Sequence, residues 1–419
     1  MHRLRQCLPY FEENGWKATV LSVNPEYVEQ GKDDLLLQTL PDDLDHISCG
    51  ALPASLTRKF GLGNLGIRAY PFLYRRLVAY LKYNQVDLVF FSTTVFVSIA
   101  LGKMIKRRFG IPFVVDMQDP WRNDYYLTIP RGDRPAKFWF NYRLQAFLEA
   151  RTMPHCDGLI AVSKGYISEL VDRYPELEDR PSEAIPFSVL RKDFEVSANL
   201  MWDRFALDAI NIVYVGRGGK DLQQAMEIVF SGFAELLGQQ GQSSKAGRIH
   251  FSFLGTSYAP NGQGVQTIKP VAHKYGVGGY VTEQTDRLGY FEALAALASA
   301  DILLVPDSED KHYTASKLYP YILSRKPLIA VAHENSPMVP LLTSLNAGEM
   351  VLYKDGDARE DVSEKFCESL GSIILKIPFM PECDWREFER YEAGAMTNRV
   401  CRVFEQVLEK QEKNNVFTS

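Results

Sequence analysis

The sequence has no apolar run long enough to cross a membrane. Its longest uncharged apolar stretch, Leu88 to Gly102, has 15 residues and is interrupted by hydroxyl side chains, whereas a spanning helix needs roughly 18 or more apolar residues. The first residues, Met-His-Arg-Leu-Arg-Gln-Cys, lack the apolar core of a secretory signal. We therefore expect a cytoplasmic protein without a membrane span.

Cysteine is scarce, and histidine lacks the spacing of a metal site. Six cysteines are scattered over 419 residues without a CxxC pair, and the seven histidines show no ligand spacing. Disulfide scaffolds, structural zinc sites and Cys-His hydrolases are therefore unexpected. We predict no metal.

The chain also lacks an excess of basic residues. It carries 47 Lys and Arg against 52 Asp and Glu, a net charge of -5, so nucleic acid is not an expected partner. Residues 70–109 are an exception, with Asp87 as their one acid. This segment forms either two solvated helix faces or a surface attracted to anionic lipid, through Arg75, Arg76, Lys103, Lys106, Arg107 and Arg108.

Short β-rich runs alternate with helical patterns along nearly the whole chain. Val86–Ser92, Phe113–Met117 and Gly158–Val162 are typical of buried parallel strands, and a second series starts at Ile210–Val215. This alternation predicts an α/β fold of two Rossmann-like, doubly wound domains with a cleft between them. The expected domains are 1–189 and 209–383, followed by a long helix over 384–413.

The beginning of the sequence departs from this pattern. Leu4, Cys7, Leu8 and Phe11 have helical spacing, so the chain is expected to open inside an amphipathic helix that ends at Gly15. A doubly wound domain normally opens with a strand and a glycine-bearing turn. The first domain is therefore expected to lack its first, central strand.

A glycine-rich turn follows the strand Ile210–Val215. Glycines allow close approach of a ligand to backbone N–H groups, and two cations could pair with phosphate charge. The spacing does not fit a nicotinamide-cofactor motif, because Asp221 stands where a third glycine is needed. The favoured interpretation is that this turn contacts a diphosphate, and the alternative is a tight turn without a ligand. The residues of the turn are Gly216, Arg217, Gly218, Gly219 and Lys220.

Two further segments follow predicted strands. Ser316 and Lys317 begin a helix that contains Tyr321, on the ligand-binding edge of the second domain. Asp116 and Asp119 lie at the carboxyl end of the strand Phe113–Met117. Asp119 is either functional or a turn former before Pro120, and Asp116 is expected to be structural.

These motifs resemble those of family-4-type glycosyltransferases of the GT-B architecture. The resemblance rests on VDMQDPW, YVGRGGKDL, FLGTSYAP with DRLGYFEAL, and ADILLVP with SKLYPYILSRKPLIAV, and extends from Met1 to about Phe404. It implies retaining, metal-independent sugar transfer from a nucleotide-sugar donor, with no other cofactor. It also implies an acceptor-side first domain, a donor-binding second domain and a final helix that returns to the first.

The sequence differs from the family pattern at the E-x7-E pair. Counted back from Pro327, the two positions are His312 and Pro320, and Glu309 is a substitute for the first carboxylate. We expect donor diphosphate contact by the residues from 216 to 220, Ser316, Lys317 and Tyr321, and orientation of the acceptor or the sugar by Asp119. The acceptor would be a glycan or a lipid-linked acceptor. The protein itself would be cytoplasmic and peripheral to the inner face of the membrane. A nucleotide-sugar epimerase and a catalytically silent GT-B scaffold are the alternatives.

Overall fold

The computed structural model describes residues 2–29, 33–60, 62–134, 138–260, 262–308 and 317–418. Contacts divide the chain into two compact units: unit 1 is Met1–Ser188 with Ala393–Ser419, and unit 2 is Val189–Glu392. No helix within the described ranges is long and apolar enough to cross a membrane.

Unit 1 contains six strands and eight helices in its described part. The strands are β1 (Thr19–Val23), β2 (Asp45–Cys49), β3 (Val89–Ser92), β4 (Phe113–Met117), β5 (Gly158–Ala161) and β6 (Ser182–Ala184). The helices before unit 2 are α1 (His2–Cys7), α2 (Ala54–Thr57), α3 (Leu65–Leu81), α4 (Ala100–Phe109), α5 (Tyr125–Thr128), α6 (Phe138–Thr152) and α7 (Lys164–Arg173).

Unit 2 contains the remaining strands. They are β7 (Ile210–Val215), β8 (Ile249–Leu254), β9 (Val281–Gln284), β10 (Ile302–Pro306), β11 (Leu328–His333) and β12 (Glu349–Tyr353). Its helices are α8 (Arg191–Ser197), α9 (Gln223–Gln240), α10 (Lys269–Lys274), α11 (Tyr290–Ser299), α12 (Leu318–Leu323), α13 (Met338–Leu345), α14 (Arg359–Lys376) and α15 (Trp385–Phe388). The chain then returns to unit 1 with α16 (Ala393–Thr418).

The strands of unit 1 form two separate parallel sheets. One has the order β3-β4-β5-β6, and the other is the pair β1-β2. Every residue of β1 and β3 is partly exposed, whereas β4 and β5 are buried throughout. Among the described strands, none pairs with both β1 and β3, so the two sheets are not joined.

Helices α1 and α16 cover one face of unit 1. Helix α16 carries an apolar stripe at helical spacing, Met396, Val400, Val403 and Val407, and these side chains share a core with Val114 and Ile160 of the sheet. Phe404 lies 5.0 Å from the ring of Phe90. Helix α1 continues in short 3-10 turns to Gly15, which closes them at φ 76°. The opposite face of the sheet is covered by α3, α4, α6 and α7.

Unit 2 is one six-stranded parallel sheet with the order β12-β11-β10-β7-β8-β9. Helices α9 and α14 pack against each other beside it, and both contribute to its main core. Gly232 permits their close approach, because a Cβ there would lie 2.4 Å from the carbonyl oxygen of Ser363. Both units are parallel, doubly wound α/β folds, which confirms the predicted fold class.

The final helical segment differs from the single helix predicted over 384–413. A short helix, α15, and a 3-10 turn at Glu389–Tyr391 come first and belong to unit 2. Glu392 then has an extended backbone, and α16 begins at Ala393. The stacked rings of Tyr319 and Tyr391, 4.8 Å apart, tie this turn to α12.

Candidate functional site

The sheet of unit 2 reverses its strand order beside β7. From β7 the chain moves outward through β8 and β9 on one side, and then returns to β10, β11 and β12 on the other. Ligands of open α/β sheets bind at the carboxyl ends of the strands that flank such a reversal. The turns after β7 and β10 are therefore the candidate site.

Two tyrosine hydroxyls hold the turn after β7. Tyr321 of α12 donates to the carbonyl oxygen of Val215 at 2.9 Å and accepts from its N–H at 2.8 Å. Tyr214 donates to the carbonyl oxygen of Arg217 at 2.9 Å. Tyr321 thus lies at the predicted position, and its hydroxyl binds the end of the strand.

The N–H groups of two glycines in this turn bind the neighbouring strand and its loop. Gly216 donates to the carbonyl oxygen of Leu254 at 3.0 Å, and Gly218 donates to that of Thr256 at 2.7 Å. The expectation of exposed phosphate donors is therefore wrong for these two N–H groups, because they extend the pairing of β7 with β8. Gly218 is needed for close packing, since a Cβ there would lie 2.6 Å from Oγ1 of Thr267.

An ion pair within the turn after β7 is joined to the turn after β10 by the Ser308 hydroxyl. Arg217 donates to both carboxylate oxygens of Asp221, at 2.8 and 2.7 Å, and to the Ser308 hydroxyl at 3.3 Å. Ser308 in turn donates to Asp221. Gly219 has a φ of +153°, and a Cβ on it would lie 2.5 Å from Oδ1 of Asp221. The glycine-rich turn is therefore shaped around a guanidinium whose charge already has a partner.

The environment of Asp221 keeps its carboxylate ionised. Burial raises the pKa of this group, but the hydrogen bonds from Ser308 and Arg217 outweigh burial, so the pKa lies below its usual value. A bound anion at this turn would meet one positive and one negative group at the same place. The Asp221 carboxylate therefore offsets part of the positive charge that Arg217 presents to an anion at this turn.

Two lysines of the predicted site lie at the surface. Lys220 is exposed in the 3-10 turn Lys220–Leu222 that leads into α9. Lys317 is exposed directly before α12. Three residues named in the sequence analysis, Ser316, His312 and Glu309, lie outside the described residues. Pro320, at the second position of the E-x7-E pair, is inside α12.

Sequence reasoning missed Asp221 and Ser308 as members of this site, and also Asp307. Asp221 had been noted only as a missing glycine, although its spacing of four residues from Arg217 is typical of an ion pair. Asp307 is buried and accepts from the Ser336 hydroxyl at 3.0 Å and from the His333 N–H at 3.1 Å. It therefore fixes the end of β10 against β11. The sequence signal that could have indicated Asp307 is a carboxylate directly after an apolar strand.

A second polar cluster lies in unit 1, at the end of β4. Oδ2 of Asp116 accepts from Nε of Arg3 at 2.9 Å, Ser92 Oγ at 2.8 Å and Gln118 Nε2 at 2.8 Å, and Asp116 and Arg3 are both fully buried. Oδ1 of Asp116 has no hydrogen-bond partner among the described residues. Asp116 is structural, as expected, but it is a member of a buried ion pair that joins α1 to the sheet.

Asp119 lies two residues beyond β4 and is exposed. Partial desolvation of its carboxyl nevertheless raises the pKa above its usual range. The next aromatic residue, Trp121, is buried, stacks on Phe96 at 6.0 Å and donates to Gln145 at 2.8 Å. The loop after β4 is thus anchored at Trp121 and leaves the Asp119 carboxyl accessible.

The described residues contain no group of three or more His, Cys, Asp or Glu side chains that could hold a metal ion. Residues 4–187 match the family model described as Glycosyltransferase Family 4. This confirms the family resemblance for unit 1. The Glycosyltransferase Family 4 match ends before unit 2, so it covers less of the chain than the predicted span to about Phe404. No curated protein sequence matches the chain significantly.

Several solved structures are similar to the chain at low sequence identity. Sucrose-phosphate synthase from Thermosynechococcus elongatus has 14% identity and a TM-score of 0.46, covering 99% of this chain and 92% of that one. An alpha,alpha-trehalose-phosphate synthase (UDP-forming) from Burkholderia vietnamiensis has 14% identity and a TM-score of 0.41, covering 86% and 80%. A trehalose-6-phosphate synthase has 14% identity and a TM-score of 0.44, covering 85% and 77%.

Proposed function

We propose that this protein is a glycosyltransferase that takes its sugar from a nucleotide-sugar donor bound at the switch point of unit 2. The observation that carries the proposal is the network of Arg217, Asp221 and Ser308, which joins the two turns flanking that point. The match of unit 1 to Glycosyltransferase Family 4 supports sugar transfer as the reaction class.

In this proposal the donor diphosphate lies against cations that stabilise the leaving group. Cleavage of the bond between the sugar and the diphosphate leaves negative charge on the departing oxygen, and nearby cations lower the barrier most where that charge develops. Lys220 and Lys317 are exposed before α9 and α12 and supply this charge together with Arg217. No metal is required for this step.

Asp119 is proposed to orient the acceptor or the transferred sugar. Its carboxylate is accessible and can accept hydrogen bonds from sugar hydroxyls. A strong base is unnecessary when the acceptor hydroxyl attacks from the face of the departing phosphate and passes its proton to that phosphate as the bond to the phosphate breaks. Attack from that face retains the anomeric configuration. The proposed acceptor is a glycan or a lipid-linked glycan.

A catalytically silent binding scaffold is the second candidate, and specific contacts favour it. The guanidinium of Arg217 is paired with Asp221, and the N–H groups of Gly216 and Gly218 bind protein carbonyls. His312 and Pro320 also stand where the resembled family has carboxylates. A silent scaffold would bind a nucleotide sugar or a glycan without breaking the glycosidic bond.

A donor screen separates these functions. The full chain is heated with UDP-, GDP-, dTDP- and CMP-linked sugars, and nucleotide release is measured by mass spectrometry. A donor at 100 times its Kd stabilises the folded state by about 2.7 kcal/mol. Transfer predicts that one donor raises the melting temperature and slowly loses its sugar. Binding without sugar release would favour the scaffold, conversion to an epimer would favour an epimerase, and no stabilisation by any donor would contradict the proposal.

A further inference from the structure

Helix α6 of unit 1 presents three large aromatic side chains to solvent. Trp139, Phe140 and Phe147 are 47%, 61% and 55% exposed, and we call them the α6 aromatic face. They line one shallow surface depression together with Arg143 and Leu144. Contiguous exposed apolar patches of this kind mark contact with a partner or a membrane, since water disfavours them.

The opposite side of α6 packs against the rest of unit 1. Leu148 packs into the core of unit 1, and Thr152 is buried. Glu149 is fully buried and accepts from Arg173 at 2.5 Å and from the Tyr174 hydroxyl at 2.9 Å. The α6 aromatic face is therefore not required for packing within unit 1.

The helices beside this face are strongly basic. Helices α3, α4 and α6 contain nine Lys and Arg residues and a single acid, Glu149, which is buried. Helix α4 packs against both α3 and α6, so the three form one layer. In a chain with a net charge of -5, this layer concentrates positive charge on the helix with the exposed aromatic rings and on the two helices that follow it in the layer.

The contacts separate the structural cations of this layer from those available at its surface. Lys106 binds Asp157 and the carbonyl oxygen of His155, and Arg108 donates to the Tyr74 hydroxyl at 2.9 Å. Lys106 is therefore held within unit 1 by an acid, whereas Arg108 stays exposed and its contact with lipid stays a prediction. No ion pair within the described ranges engages the exposed Arg75, Arg76, Arg107 and Arg143 or the half-buried Lys103, and we call these five residues the surface cations.

Two arginines lie on the rings themselves. The guanidinium carbon of Arg134 is 5.3 Å from the Trp139 ring, and that of Arg151 is 4.9 Å from the Phe147 ring. Tryptophan and arginine together suit the boundary between lipid headgroups and acyl chains, where a ring is buried while the cation stays with phosphate oxygens.

We propose that the α6 aromatic face, with the surface cations of α3, α4 and α6, is the surface by which unit 1 docks on an anionic lipid bilayer. The rings enter the headgroup boundary, and the cations pair with lipid phosphates. Charge selects lipid over a protein partner here, because the surface offers cations and rings without exposed acids on these three helices. This proposal extends the peripheral membrane location expected from the sequence and is independent of the donor site in unit 2.

Vesicle co-sedimentation of the full chain tests this surface. Vesicles of phosphatidylcholine with 30% phosphatidylglycerol are compared with pure phosphatidylcholine, and donor binding is measured separately in solution. Binding to the anionic vesicles is expected to fall about tenfold in Phe140→Ser/Phe147→Ser, and at least as much in Arg75→Glu/Arg76→Glu/Lys103→Glu/Arg107→Glu. The matched control, Leu375→Ser/Met380→Ser, removes two exposed apolar side chains from unit 2 and is expected to bind like the parent.

The fluorescence of Trp139 provides a second readout, in which Phe140 and Phe147 are not substituted. Brominated acyl chains are expected to quench its fluorescence in anionic vesicles, and the quenching is expected to disappear in Trp139→Phe but persist in Trp385→Phe. Equal binding to both vesicle types, unchanged binding in the phenylalanine variant, or absence of Trp139 quenching would overturn the proposal. A dimer that forms without vesicles and is lost in Phe140→Ser/Phe147→Ser would also overturn it, in favour of a second copy of the chain.

Discussion

The guanidinium of Arg217 donates two hydrogen bonds to the carboxylate of Asp221, four residues along the chain, at 2.8 and 2.7 Å. This geometry holds the planar fork of the arginine side chain at the carboxyl edge of the sheet, a role for which lysine is a poor substitute. The pair also means that a donor phosphate at this turn meets the negative charge of Asp221 beside the positive charge of Arg217.

Asp221 is expected to make the stability of unit 2 depend on acid pH. Its folded-state pKa is lowered, so its contribution is present above the pKa of the unfolded chain and is lost as pH falls through the folded value. The free energy of unfolding should therefore decrease as the pH falls below about 4. In Asp221→Asn, the free energy of unfolding should depend less steeply on pH in this range. Urea unfolding at several pH values measures this slope. Parallel curves for the parent and the variant would contradict the prediction.

Gly219→Ala is expected to break the geometry of the ion pair. The new Cβ would lie 2.5 Å from Oδ1 of Asp221, at a backbone φ of +153°. A left-handed φ alone costs about 1–3 kcal/mol for a side chain, and the clash adds to it. Gly276→Ala is the control, because Gly276 also has a positive φ, +75°, but no atom within 4 Å of the added Cβ. Urea unfolding of both variants should show the larger loss for Gly219→Ala, and equal losses would exclude the clash.

Tyr321→Phe is expected to loosen the turn after β7. The variant leaves the N–H and carbonyl groups of the half-buried Val215 without their hydroxyl partner, and loss of a hydrogen bond of this kind costs about 0.5–1.5 kcal/mol. Hydrogen exchange should become faster at the N–H of Val215. A weaker nucleotide affinity with unchanged exchange would instead assign Tyr321 to direct ligand contact, as its sequence position suggested.

Arg3→Met is expected to destabilise unit 1 strongly. It leaves the Asp116 carboxylate buried without its cation, which typically costs about 3–5 kcal/mol. Arg58→Met removes the exposed pair with Glu29 in the same unit and should cost about 0–1 kcal/mol. Exchange of the β4 amides in increasing urea measures both losses. Similar values would show that burial of the Arg3 pair has no consequence.

The sequence predicted the buried strands well and the edge strands poorly. β4, β5 and β7 are apolar because helices cover both sheet faces, and their bounds were predicted closely. β2, β6 and β12 were missed because edge strands expose many of their side chains, and the pattern DHISC of β2 contains more polar than apolar residues.

The candidate site was predicted in position but not in its contacts. The glycine-rich turn indicated a close approach of backbone and ligand, and the structure places it at the switch point. The sequence could not show that the carbonyl oxygen of Thr256 accepts from the N–H of Gly218, because this hydrogen bond depends on the pairing of two strands distant along the chain. It also could not show that Ser308 joins Arg217 and Asp221, since that contact depends on the fold of the sheet.

The central claim is that a donor diphosphate binds at the turn containing Arg217, and titration calorimetry tests it most directly. Nucleoside diphosphates and monophosphates of uracil, guanine and thymine are titrated into the parent chain, Arg217→Ala and Lys317→Ala. A charge-assisted contact is worth about 1.5–3 kcal/mol, so each variant should bind the preferred diphosphate roughly 10- to 150-fold more weakly. Arg386→Ala and Lys365→Ala, exposed residues of the same unit, should bind it like the parent. Equal diphosphate affinity in the parent, both site variants and both controls would contradict the account.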